Sequence, residues 1–117
     1  MWAPPKWRFY RKHIPPGTRT KSWVQLVRET AQPGHKGYYH PDLREEIEAY
    51  EMACFQAQQL VSQTYPTRYY WAKFDRVVGA SRGQETAYLL VEHDASTGDV
   101  HGHPVTRDEL IGKGVSL

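Results

Sequence analysis

Apolar and polar positions along the 117-residue chain change period once, from helical in the first half to alternating in the second. Residues 22–63 carry the helical part. Ser22 with Gln25 three positions on forms a capping box, in which each side chain satisfies a free backbone N–H. Trp23, Leu26, Val27 and Thr30 then follow the i, i+3, i+4, i+7 spacing of one buried stripe, and Pro33-Gly34 ends that short helix. A longer helix is expected over residues 41–63. Pro41 suits its first turn, and Asp42, Glu45 and Glu46 suit the positive end of its dipole. Leu43, Ile47, Tyr50, Cys54, Ala57 and Val61 make its apolar stripe. Met52 and Phe55 fall on the far side, so this helix is expected to contact protein on two faces.

After Tyr65-Pro66 the chain reads as β. Short runs over 68–74, 76–80, 87–93 and 100–105 are rich in β-branched and aromatic residues, with turn chemistry at 81–83 and 95–98. A second capping box, Thr106 with Glu109, opens a short C-terminal turn that Gly112 and Gly114 close. Pro4-Pro5 and Pro15-Pro16-Gly17 bracket a piece that alternates as a short edge strand or lies as an arm across the domain. The expectation is one α+β domain over residues 1–117: a basic aromatic arm (1–20), a helical part (22–63), an antiparallel sheet (66–106) and a short C-terminal turn (107–117). One long helix is expected to pack on a three- to four-stranded antiparallel sheet.

Composition supports a folded chain, since four Trp, eight Tyr and three Phe are more aromatics than disordered segments carry. The longest apolar run, 87–91, is far too short to cross a bilayer, so no membrane partner is expected. Met1-Trp2-Ala3-Pro4-Pro5-Lys6 lacks the apolar core of a secretory signal. Cys54 is the single cysteine, which excludes an intrachain disulfide and a cysteine-based zinc site. These features fit a cytoplasmic protein, or an exported effector without a signal peptide.

The net charge of +2 conceals an asymmetry: residues 1–36 carry +7, residues 37–63 carry −4 and the remainder −1. A positive end is an electrostatic footprint for an anionic partner, or a complement to the acidic middle. Lys6-Trp7-Arg8-Phe9-Tyr10-Arg11-Lys12 interleaves cations with rings, the combination that holds single-stranded nucleic acid, and Arg19 and Lys21 extend the strip. The competing assignment has Trp7 and Phe9 pinning the segment onto the domain while the cations stay wet. The loop over 34–40 leads into acidic residues, matches no phosphate-binding fingerprint and reads as a connector.

A second candidate lies in the last third. If residues 95–98 form a four-residue hairpin loop, Glu92 opposes His101, Leu90 opposes His103 and Tyr88 opposes Val105. Tyr88, Glu92, His101 and His103 then share one face, whereas a slip of one residue sends Glu92 to the other side. Glu92 as base and His101 or His103 as acid would divide the proton transfers that cleave RNA through its own 2′-hydroxyl. Tyr88 with Arg68, Arg76 or Arg107 would contact the phosphate. Over residues 41–105 this arrangement resembles small microbial ribonucleases, including secreted toxin domains, which also run helix first and place Glu, His and Arg on an antiparallel sheet. Metal-independent RNA cleavage is what that resemblance implies. His-x-His with a carboxylate has ligand types for zinc or iron, but no third strong ligand is evident, and neither metal nor cofactor is expected. His93 is expected to pack against the helix, and all these side chains have an ordinary structural role as their alternative.

The favoured reading is a small non-catalytic module that binds an anionic macromolecule, foremost nucleic acid, through its basic aromatic N-terminal surface. The alternatives are the toxin-type ribonuclease and a protein-binding adaptor using Tyr69-Tyr70-Trp71 and the outer side of the long helix.

Overall fold

The computed structural model describes residues 1–15 and 21–117. Its elements, in chain order, are β1 (Lys6–Trp7), α1 (Trp23–Glu29), β2 (Tyr38–Tyr39), α2 (Ile47–Gln56), β3 (Leu60–Thr64), β4 (Thr67–Lys73), β5 (Gly79–Ser81), β6 (Gln84–Thr86), β7 (Tyr88–Asp94), β8 (Asp99–Val105) and α3 (Arg107–Gly112). Both capping boxes form: Ser22 with Gln25 opens α1, and Thr106 with Glu109 opens α3.

The long helix over 41–63 does not form. That stretch is three pieces: a 3-10 turn at Pro41–Leu43, the ten-residue α2, and strand β3. Gln58 adopts φ of +54°, a left-handed conformation that ends the helix, and Leu60 and Ser62 then pair with Tyr70 and Tyr69 of β4, with Val61 at the bulge between them. Val61 falls in step with the helical stripe by spacing alone, and its β-branched side chain serves the sheet instead.

The expected three- to four-stranded antiparallel sheet is likewise corrected. The main sheet has five strands in the order β1-β8-β7-β4-β3, and it is mixed because β1 runs parallel to β8. The extra strands come from the tail of the expected helix and from the arm. A separate three-stranded sheet, β2-β5-β6, closes its β5–β6 hairpin through Arg82 and Gly83, both at positive φ.

Alternation along β4, β7 and β8 gives the main sheet two faces. Tyr70, Ala72, Leu89, Val91 and Val100 meet Ile47, Cys54 and Phe55 of α2 in the larger core. Leu90 and Val105 meet Leu110 of α3 on the other face, flanked by half-buried Tyr69, Trp71 and Tyr88. The β7–β8 turn is held by the Asp94 carboxylate, which accepts from the Ser96 and Thr97 N–H groups at 2.8 and 2.9 Å. Gly98 at φ of +79° completes it. That turn sets the register, with Glu92 opposite His101 and Leu90 opposite His103. Among the described residues no helix is long and apolar enough to cross a membrane.

Candidate nucleic-acid interface

Backbone hydrogen bonds lay the N-terminal arm along the hairpin. Ala3 N–H donates to the Ala95 carbonyl (2.8 Å), Lys6 to Gly98 (2.9 Å) and Arg8 to Val100 (2.9 Å). Its tryptophans point inward. The Trp7 indole N–H donates to Glu51 Oε1 at 2.8 Å, and the Tyr39 hydroxyl donates to the other oxygen of that carboxylate. Glu51 is 3% exposed, and its burial pushes the carboxyl up to about 7, against the opposing pull of the Tyr39 and Trp7 hydrogen bonds. Trp2 lies 5.6 Å from the His93 ring and beneath the Arg68 guanidinium, 4.3 Å away.

The other arm side chains point out. Phe9 is 49% exposed and Tyr10 37%. Lys6, Arg8, Arg11 and Lys12 are exposed around them. The Tyr10 ring is bracketed by Arg8 at 5.5 Å and Lys12 at 5.8 Å from its centroid. Arg8 also meets Asp99 at 3.5 Å, an exposed guanidinium at long range from a largely covered carboxylate. Trp7 therefore takes the pinning role, whereas Phe9 and Tyr10 keep rings on the surface among cations. Lys21 is turned away to Glu29 of α1 at 2.6 Å. Arg19 lies outside the described residues.

On the hairpin face, Glu92, His101 and His103 line a concavity of about 30 Å³ with Tyr69, Leu90 and Val91. Nδ1 of His101 is buried and has no partner among the described residues. Two arm residues cap the imidazoles: Tyr10 lies 4.2 Å from His101 and His13 stacks 4.8 Å from His103. The His13 Nδ1–H donates to the Gly37 carbonyl at 2.9 Å. Burial holds His101 below its usual value, with Lys12 and Arg8 adding to it and Glu92 opposing. Burial does the same to His103, with Lys12 and Lys113 adding to it. His13 falls to about 3 through burial and the adjoining His103.

No protein-family model, curated protein or solved structure matches this chain.

The remaining residues of the hairpin candidate are dispersed. Tyr88 lies four positions along β7 from Glu92, about 13 Å away. It packs near Trp71 and Lys73 instead. Arg68 is on the opposite face, donating to His93 Nδ1 at 3.2 Å. Arg76 turns back to the Val77 carbonyl, and Arg107 donates to Leu117. His93 is 1% exposed and packs on Phe55 of α2. Among the described residues no group of three His, Cys, Asp or Glu side chains is placed to hold a metal.

Sequence reasoning missed Glu51 and gave Tyr69 to the adaptor surface rather than to the hairpin face. Tyr69 pairs with Glu92 across β4 and β7, and period-two alternation from Trp71 was its available signal. Glu51 sits four after Ile47 and three before Cys54, so an acid inside an apolar stripe announced its burial.

Proposed function

We propose that the protein is a non-catalytic module that binds single-stranded nucleic acid through the outer side of its N-terminal arm. The observation that carries this reading is Tyr10, an exposed ring held between Arg8 and Lys12. Bases stack on the ring while phosphates neutralise the cations, and neither contact needs a particular sequence. Anchoring of the arm by Trp2 and Trp7 favours it further, because a surface already ordered loses less entropy on binding.

The ribonuclease reading has less support. A general acid must hold a proton at working pH, yet His101 and His103 are both shifted toward the neutral form. Among the described residues no arginine lines the concavity, and about 30 Å³ cannot admit a nucleobase. The adaptor reading loses part of its surface, since Tyr70 is buried and the long helix is absent.

The test is fluorescence anisotropy with labelled oligothymidylate and oligouridylate of about 12 nucleotides. Four arm cations predict a log–log slope of about −3 between roughly 50 and 200 mM salt, with the strands intact afterwards. Salt-insensitive binding, no binding at the lowest salt, or cleavage that survives EDTA would each overturn the proposal.

A further inference from the structure

The arm's aromatic surface continues beyond the arm. Tyr10 rests on His101, whose strand pairs through Glu92 to Tyr69 on β4. From there the same face of the main sheet presents Trp71 and Tyr88, both half-buried, with ring centroids 6.1 Å apart. Lys73 stands over the Tyr88 ring at 6.0 Å. The α3 helix covers the Leu90–Val105 part of this face through Leu110, and Tyr69, Trp71 and Tyr88 pack against that cluster while staying half-buried rather than fully covered.

We infer that a bound single strand leaves the arm at Tyr10 and crosses this sheet face, stacking bases on Trp71 and Tyr88 with Lys73 taking a phosphate. The inference rests on the arm reading and extends it. Its occupant is argued from charge and continuity. Lys12 and Lys113 both lie near enough to His103 to act on its charge, and Lys73 marks the far end, so the strip is rimmed by cations. Glu92 is the acid on the path, and it would face the bases of a stacked strand, whose N–H groups, the N3–H of thymine included, donate to carboxylates. Glu109, nearby, is already paired with Arg82, and Asp99 lies at the arm, where Arg8 serves both it and a phosphate. A sheet whose surface rings stack successive bases is an established way of holding a single strand.

Trp71 is its own reporter. Oligothymidylates of about 4 and about 12 nucleotides are titrated against the full chain and against Trp71→Phe, Trp71→Leu and Lys73→Ala. The longer strand quenches tryptophan emission in the parent. Trp71→Phe keeps affinity within about twofold but loses that quench, because Phe stacks without the indole emission. Trp71→Leu and Lys73→Ala each weaken the longer strand, Trp71→Leu by about tenfold, and leave the shorter one unchanged. Circular dichroism confirms the fold of each variant, and Lys73→Ala, an exposed position, carries the test if Trp71→Leu is unfolded. If both strands bind with the same affinity, and Trp71→Phe and Lys73→Ala change neither quench nor binding, the sheet-face path is wrong while the arm reading stands. If neither strand binds, both fall together.

Discussion

The Tyr10 ring lies on the His101 imidazole with centroids 4.2 Å apart, so one residue of the arm both offers a stacking surface and buries a histidine. Removing the ring should act on both properties. In Tyr10→Ala, His101 regains solvent and titrates closer to its usual value, and single-strand binding weakens about tenfold. Tyr10→Phe should leave both nearly unchanged, since the ring rather than the hydroxyl supplies each effect. Imidazole resonances followed through a pH titration read the first effect and anisotropy reads the second. An unmoved His101 in Tyr10→Ala would show that the burial comes from elsewhere.

Arg8→Ala and Lys12→Ala should weaken binding alike for every strand sequence, and each should flatten the log–log salt slope by about 0.7. Arg8 is exposed and its contact to Asp99 is long, 3.5 Å, so the thermal midpoint of Arg8→Ala should stay within a few degrees of the parent. A loss confined to one strand sequence would indicate base readout and contradict the assignment.

These predictions depend on features legible in the sequence to different degrees. The β7–β8 register was legible because the Asp94–Gly98 turn carries its own chemistry and because a slip would expose Leu89 and Val91. The starts of α1 and α3 were legible for the same local reason, whereas α2 begins at Ile47 and not at the expected Pro41. The length of α2 was not legible, because Ala57 and Val61 continue a helical spacing past the residue where the backbone turns left-handed. Pairing of β1 with β8 involves two residues of each strand, too short a run for periodicity to show. Of the arm, the alternation was visible but not which side faced in. The inward choice follows from Glu51, an acceptor more than forty residues away that the Trp7 indole can reach.

Glu51 is the group through which pH should act on that anchor. Between about 4.5 and about 7 the folded chain keeps a proton on Glu51 that the unfolded chain has released. Its contribution to stability is therefore present at low pH and lost as pH rises through that window. Glu51→Gln removes the titration, so the difference in urea midpoint between variant and parent should move in the variant's favour across the same range. Trp7→Phe, which takes one donor from a buried carboxyl, should cost about 1–3 kcal/mol. The Lys6 and Arg8 amides should then exchange with solvent faster. Equal exchange in parent and variant would show that Trp7 does not hold the arm.

The histidines pull the other way and outnumber it. His13, His93, His101 and His103 are all held below their usual value, chiefly by burial. At His93 the Arg68 guanidinium donates to Nδ1, which must remain a lone pair, while Nε2–H donates to the Ala3 carbonyl at 3.1 Å. Protonation would set two donors against each other. Below about pH 6.5 the unfolded chain binds protons at these four sites that the folded chain resists, so stability falls as pH drops. The urea midpoint should decline from pH 7.5 to pH 5.5, and His93→Gln should flatten part of that decline. A midpoint that rises on acidification would mean that Glu51 outweighs the four histidines.

Gly102 separates His101 from His103, and its lack of a side chain is what lets β8 lie flush on β7. A Cβ there would sit 2.4 Å from the Leu90 carbonyl oxygen and 2.6 Å from Val91 Cγ1. The first of these is backbone, so relief requires the two strands to part. Gly102→Ala should therefore cost about 1–3 kcal/mol or more and disturb the spacing of both histidines from Glu92. Gly112 provides the contrast within the same chain. It lies in α3 with nothing within 4 Å of a Cβ, and Gly112→Ala should be neutral or stabilising by up to about 1 kcal/mol. Thermal unfolding of the two variants side by side tests the packing of the hairpin. Equal midpoints would show that β7 and β8 are not in the close contact on which the shared face of Glu92, His101 and His103 depends.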